Sequence, residues 1–125
     1  YFDDLADRIL PGLIARRADV RRLKLWCAAC STGQEPYSLA MLMKERFADR
    51  LRDWQIELLA TDVSVQAITQ AQNGHYSEVE LRRGLSDVRV HLHGRRTLQG
   101  WQIADSLRQS VRFQRLNLLN ASPEG

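Results

Sequence analysis

From Leu23 the apolar positions run almost unbroken through Leu25, Trp26, Cys27, Ala28, Ala29 and Cys30, then recur at helical spacing at Leu39, Leu42, Met43 and Phe47. The unbroken run predicts a strand buried on both faces, as in the middle of a parallel sheet. Ser31, Thr32 and Gly33 end it. Pro36 predicts the start of a helix, because its fixed φ suits a first turn and its missing N–H costs no bond there. Lys44, Glu45, Arg46, Asp49 and Arg50 fall mostly between the apolar positions, so one face of this helix is expected to be buried and the other wet. A strand, a tight turn and a helix in this order make half of a βαβ unit, whose loop at the carboxyl end of the strand is the usual ligand crevice.

The same reading extends in both directions. Tyr1 to Arg17 has an amphipathic pattern on Phe2, Leu5, Ile9 or Leu10, and Leu13, with Pro11 expected to kink or split the helix. Trp54 to Val63 predicts a second strand ending at Asp62. Ser64 to Gln72 predicts a helix with Val65, Ile68 and Ala71 inward, closed by Asn73 and Gly74. Beyond Tyr76 the pattern is less regular: a short helix over Glu80 to Leu85, alternation over Val88 to His93 that predicts a strand, a turn from Gly94 to Gly100, and Trp101 to Ile103 pairing back. Val111 to Leu116 predicts a third core strand. The fold class expected is therefore α/β: an incomplete doubly wound parallel sheet with a small antiparallel β-insert.

Two acids fall in this crevice. Thr32 and Glu35 have capping-box spacing, but Pro36 would then sit where the helix needs a hydrogen bond; the other reading leaves the Glu35 carboxylate at the cap position, free for a cation. Asp62 stands at the carboxyl end of the second strand, where nucleotide-binding folds place an acid on ribose hydroxyls. It could equally be the N-cap of the next helix, a role Ser64 could also fill. Both pairs of readings stay open on the residues alone.

Composition narrows the class without choosing a chemistry. With 44% hydrophobic and 26% charged residues, the 125-residue chain has the make-up of a single soluble domain able to bury a core. No stretch is apolar enough to span a bilayer, and Tyr1-Phe2-Asp3-Asp4 lacks the basic start of a leader, so a cytoplasmic location without membrane insertion is expected. Cys27 and Cys30 are spaced C-x-x-C, but no second cysteine pair exists to complete a zinc site, and in a buried strand they read as apolar filler. His91 and His93 would share one face of the expected strand, a spacing zinc can use, yet only His75 lies near them in sequence; no metal site is expected. A net charge of +3 is too small to point to nucleic acid. Arg82, Arg83, Arg89, Arg95 and Arg96 would at most favour an acidic partner.

The run Trp26-Cys27-Ala28-Ala29-Cys30-Ser31-Thr32-Gly33-Gln34-Glu35-Pro36-Tyr37-Ser38-Leu39-Ala40 closely resembles the signature of the chemotaxis receptor methyltransferases, the CheR family, which methylate receptor glutamates with S-adenosylmethionine. Leu59 to Ser64, Tyr76 to Leu85 and Trp101 to Leu119 resemble the motifs that follow in that family. The resemblance implies a Rossmann-like class I methyltransferase. It implies that residues 1–22 are a leading helix and connection, 23–75 the cofactor-binding half, 76–110 a small β-subdomain, and 111–125 the third core strand with a truncated end. By the same resemblance Glu35 matches the acid on the ammonium of the cofactor's methionine moiety and Asp62 the acid on the ribose hydroxyls. Asn117 and Leu118 match the pair on adenine, and Ala29, Ser31, Thr32 and Gly33 the loop replacing a glycine-rich turn. The hairpin from about Val88 to Ile103 matches the subdomain that docks a receptor peptide in some members. No catalytic residue is assigned.

The family's amino-terminal helical domain and its arginine-asparagine-valine and tyrosine run lie outside this chain, which is expected to be a piece of a larger protein. An exposed sheet edge after Leu116 would favour association between chains. A cofactor-binding regulatory module, or a methyltransferase-like domain with another substrate, are the alternatives.

Overall fold

A computed structural model of the chain describes residues 5–116. A single π-helical turn, Leu5–Ile9, leads into α1, Leu10–Arg16, with Pro11 in its first turn. The expected helix is therefore in two pieces that meet beside the proline. Leu10 and Ile14 are buried, and Asp7 forms a 3.5 Å ion pair with Arg46.

The strand β1, Arg22–Cys27, is followed by α2, Gln34–Arg46, then β2, Gln55–Asp62, and α3, Val65–Asn73. The two strands are parallel, and in register Leu25 faces Leu58 and Cys27 faces Ala60. Burial alternates along β1 rather than covering both faces, which corrects the expected two-sided core strand: Leu23 and Cys27 are buried, Lys24 is exposed, and Trp26 is 48% exposed. The reason is position, because β1 lies at one edge of the described sheet and β2 takes the centre.

Helix α2 starts two residues ahead of Pro36, at Gln34, with Gly33 as its cap residue. Pro36 still costs no hydrogen bond, since the first N–H to reach back one turn is that of Tyr37, to Gly33 O at 3.1 Å. Thr32 does not cap the helix; its hydroxyl meets Gln34 Oε1 at 2.5 Å. Glu35 consequently lies in the first helical turn rather than at the cap. Its side chain is exposed at the positive end of the helix dipole. Tyr37, Leu39, Ala40, Met41, Leu42 and Met43 are all buried, so α2 is the helix around which the core closes.

Ser64 caps α3 by accepting from Ala67 N, and Gly74, at φ +66°, closes it in the left-handed conformation the Asn73-Gly74 pair predicts. Ile68 and Ala71 point inward as expected. Val65 does not: at 54% exposure it stands at the open first turn, where no neighbouring element covers it.

The segment after α3 differs most from expectation. After the two-residue strand β3, His75–Tyr76, come two helices, α4, Glu78–Gly84, and α5, Asp87–His93, before the hairpin of β4, Gly94–Thr97, and β5, Gly100–Ile103. A full capping box between Ser77 and Glu80 starts α4. Residues Val88 to His93, expected as a strand, are helical because Ser86 caps α5, accepting from Arg89 N at 3.3 Å, and a three-residue period wins over alternation. Val90 and His93 are buried, whereas Val88 is 73% and Leu92 61% exposed. His91 and His93 therefore do not share a face. His93 Nε2 instead meets Glu45 Oε2 at 2.6 Å, and Arg89 Nε donates to the same carboxylate at 3.0 Å, joining α5 to α2. Burial alone would push the Glu45 carboxyl up, but the hydrogen bonds and charges of Arg89 and His93 outweigh it and hold it below the ordinary glutamate value.

The expected long turn from Gly94 to Gly100 shrinks to Leu98 and Gln99, since Gly94–Thr97 is itself paired with Gly100–Ile103. The small sheet has the order β3-β5-β4 and is antiparallel throughout. Helix α6, Asp105–Gln109, returns the chain to β6, Val111–Arg115, which runs parallel to β2 at the other edge of the described main sheet. Tyr37 packs edge-on against Phe113, with ring centroids 5.3 Å apart, which seats α2 on the sheet.

Candidate functional site

The loop from β1 to α2 has an unusual backbone. Ala29, Ser31 and Gly33 have φ values of +55°, +53° and +97°, so left-handed residues alternate through it. For alanine and serine that conformation costs on the order of 1 kcal/mol each, and it persists only where the surroundings impose it; such strain gathers at ligand sites. Here the second strand imposes it. Cys30 N donates to Thr61 O at 2.8 Å and Ser31 N to Asp62 Oδ2 at 2.9 Å, while Gly33 N closes a turn on Cys30 O at 3.1 Å. From the small sheet, the Tyr76 hydroxyl donates to Thr32 O at 2.7 Å.

Gly33 is required twice. Its φ favours glycine, and a Cβ there would lie 2.9 Å from Ala71 Cβ and 3.2 Å from the Tyr76 hydroxyl oxygen. The loop can thus descend onto α3 only through a residue without a side chain.

Asp62 ties the crevice together. Its Oδ1 accepts from Ser64 N at 2.9 Å, its Oδ2 from Ser31 N, and its carbonyl oxygen from Leu116 N at 2.9 Å. One residue thereby joins the loop, the start of α3 and the end of β6. The cap of α3 is Ser64, which settles that alternative and leaves the partly exposed Asp62 carboxylate with lone pairs that its two backbone donors do not use.

Glu35 stands just beyond the loop, in the first turn of α2. Burial pushes the Cys30 thiol up to about 11, and both Asp62 and Glu35 add to the shift, so the two carboxylates lie within electrostatic reach of one sulfur. Cys27 is likewise pushed up to about 11 by burial first and then by Glu35. Both thiols are free, buried and protonated at neutral pH, which makes them poor nucleophiles and fits the filler reading. Among the described residues no group of three or more His, Cys, Asp or Glu side chains is arranged to hold a metal ion.

Of the residues singled out in the sequence, Ala29, Ser31, Thr32, Gly33, Glu35 and Asp62 converge at the carboxyl ends of β1 and β2. Asn117 and Leu118 lie outside the described residues, although Leu116, just before them, is bonded to Asp62. Tyr76 was not foreseen at this crevice. A lone aromatic in an irregular stretch carries no signal that its hydroxyl will reach a loop 44 positions earlier.

The profile of the CheR methyltransferase SAM-binding domain matches residues 1–125. The chain belongs to the CheR methyltransferase family. Chemotaxis protein methyltransferase 1 of Pseudomonas aeruginosa is 37% identical over 123 residues, covering 96% of this chain and 44% of the relative. Chemotaxis protein methyltransferase Cher2 of Pseudomonas putida is 33% identical over 123 residues, with the same coverage of 96% and 44%. The chemotaxis protein methyltransferase of Borreliella burgdorferi is 29% identical over 122 residues, covering 96% of this chain and 43% of the relative. The chain spans less than half the length of these curated relatives. Its parallel sheet, with the small antiparallel sheet beside it, is the α/β architecture of a CheR SAM-binding domain, and the cofactor of that domain is S-adenosylmethionine. No helix among the described residues is long and apolar enough to cross a membrane.

Proposed function

We propose that this domain is the S-adenosylmethionine-binding part of a cytoplasmic protein-glutamate O-methyltransferase that acts on methyl-accepting chemoreceptors. The observation that carries the reading is the strained loop between β1 and α2, held against Asp62 and flanked by Glu35. Two carboxylates at one mouth suit a ligand with an ammonium group and a vicinal diol. Glu35 takes the ammonium and Asp62 the ribose hydroxyls through its unused lone pairs. Ala29, Ser31, Thr32 and Gly33 present a backbone edge with little side-chain bulk, so a ligand can approach closely. Asn117 and Leu118, next in sequence after Leu116, are assigned to the adenine by the family resemblance alone. The four-part layout of residues 1–22, 23–75, 76–110 and 111–125 belongs to the same proposal, with helices α4 and α5 forming much of the small subdomain.

When bound, S-adenosylmethionine supplies an electrophilic methyl group on a sulfonium. The acceptor glutamate is ionised at neutral pH, so its attack requires no general base. The work left for the protein is to align the two partners and exclude water, and the residues named above serve the first of these. The small sheet faces the receptor: Arg95 and Arg96 are exposed on β4, with Arg96 ion-paired to Glu78, and their charge suits an acidic surface.

The test is transfer of a radiolabelled methyl group from S-adenosylmethionine to a purified chemoreceptor cytoplasmic fragment by the full-length protein. The expected product is a base-labile methyl ester that releases methanol. Base-stable label would instead mean another acceptor atom, and binding of the cofactor without any transfer would favour a regulatory module.

A further inference from the structure

The small sheet and the cofactor loop meet at Tyr76. The side chain is 4% exposed, its main chain pairs with Trp101 of β5, and its hydroxyl crosses to Thr32 O at 2.7 Å. The same hydroxyl oxygen lies 3.2 Å from where a Cβ on Gly33 would stand, so it sits under the point where the loop enters α2. Trp101, whose indole Nε1 donates to Val90 O at 2.9 Å, lies beside the Tyr76 ring, with centroids 6.4 Å apart. The left-handed residues Ala29 and Ser31 need their geometry imposed from outside the loop. The second strand holds Cys30 and Ser31; Tyr76 holds Thr32, the next peptide along.

We propose that Tyr76 is a positioning residue: its hydroxyl fixes the Thr32 peptide in the geometry that receives the cofactor, and it thereby couples the small antiparallel sheet to cofactor binding. The affinity part of this statement rests on the cofactor reading given above; the loop-holding part does not. Linkage makes the coupling reciprocal, so a partner that orders the small sheet would also tighten cofactor binding.

Tyr37 provides the comparison. It too is a buried tyrosine whose hydroxyl donates to a backbone carbonyl, Ala71 O at 2.6 Å, but its bond lies within the helical layer rather than on the loop. In the full-length protein, Tyr76→Phe and Tyr37→Phe each keep a ring and lose one hydrogen bond, and comparable small losses of melting temperature are expected. Hydrogen exchange of the loop amides from Ser31 to Gln34 should rise at least about threefold in Tyr76→Phe alone. The dissociation constant for S-adenosylhomocysteine should rise about fivefold in Tyr76→Phe and stay within about twofold in Tyr37→Phe. Unchanged loop exchange in Tyr76→Phe would overturn the positioning role. Faster exchange with unchanged affinity would overturn the coupling, and equal weakening by both variants would reduce Tyr76 to general packing. Should the wild-type protein bind no S-adenosylhomocysteine, the proposed function fails, and the exchange comparison still decides whether the hydroxyl holds the loop.

Discussion

Gly33→Ala is expected to destabilise the full-length protein by about 2–4 kcal/mol. About half comes from placing a side chain at φ +97° and the rest from a Cβ forced to 2.9 Å from Ala71 Cβ, a contact that neither helix can relieve alone. Gly12→Ala makes the same chemical change in the exposed part of α1, where nothing lies within 4 Å, and should be neutral or stabilising by up to about 1 kcal/mol. Urea midpoints of the two variants measure the difference. Similar midpoints would show that the loop does not sit on α3 as described.

Asp62→Ala should weaken S-adenosylmethionine binding at least tenfold, about 1.4 kcal/mol, because it removes the carboxylate we propose for the ribose hydroxyls and also releases Ser31 N and Ser64 N. Cys27→Ser, at a buried thiol that burial keeps protonated, should leave the affinity within a few fold. Asp62→Asn separates the two parts of the aspartate effect, since an amide oxygen can still accept from one backbone N–H but carries no charge. Equilibrium titration of the three variants decides the matter. Comparable losses from Asp62→Ala and Cys27→Ser would mean that the crevice has been assigned to the wrong residues.

The main sheet was legible because its signals are local. The apolar run that stops at Asp62, an Asn73-Gly74 closure and a serine at position 64 each mark an end by the chemistry of one or two residues, whereas the run to Cys30 overshoots β1, which ends at Cys27 because the chain turns there into the left-handed loop. The segment from Val88 to His93 was misleading for the opposite reason. Its alternation of Val88, Val90 and Leu92 has the period of a strand, but two of those three residues are exposed and the Ser86 cap with Asp87 behind it starts a helix. The inward partner that matters is His93, three residues after Val90, and its reason for burial is Glu45 on a distant helix. No pattern within the segment itself contains that information. The start of α2 was misplaced by two residues because proline is tolerated throughout the first turn, not only at its first position.

The candidate site divides in the same way. Glu35 and Asp62 stand out as acids at the mouth of a βαβ crevice, and the loop between them as a break in an apolar run. What the loop does with its backbone was not legible: left-handed Ala29 and Ser31 are held by Thr61, Asp62 and Tyr76, none of them neighbours in sequence. The need for glycine at position 33 likewise arises from Ala71 and Tyr76, which approach only in the folded domain.

The most direct test of the central claim, that this crevice holds S-adenosylmethionine through Glu35 and Asp62, is a calorimetric titration of the full-length protein with S-adenosylmethionine and S-adenosylhomocysteine, repeated with Glu35→Gln. Binding of both compounds in the micromolar range, weakened at least about tenfold when the exposed carboxylate becomes an amide, is the result this site requires. Equal affinity in Glu35→Gln and wild type would contradict it.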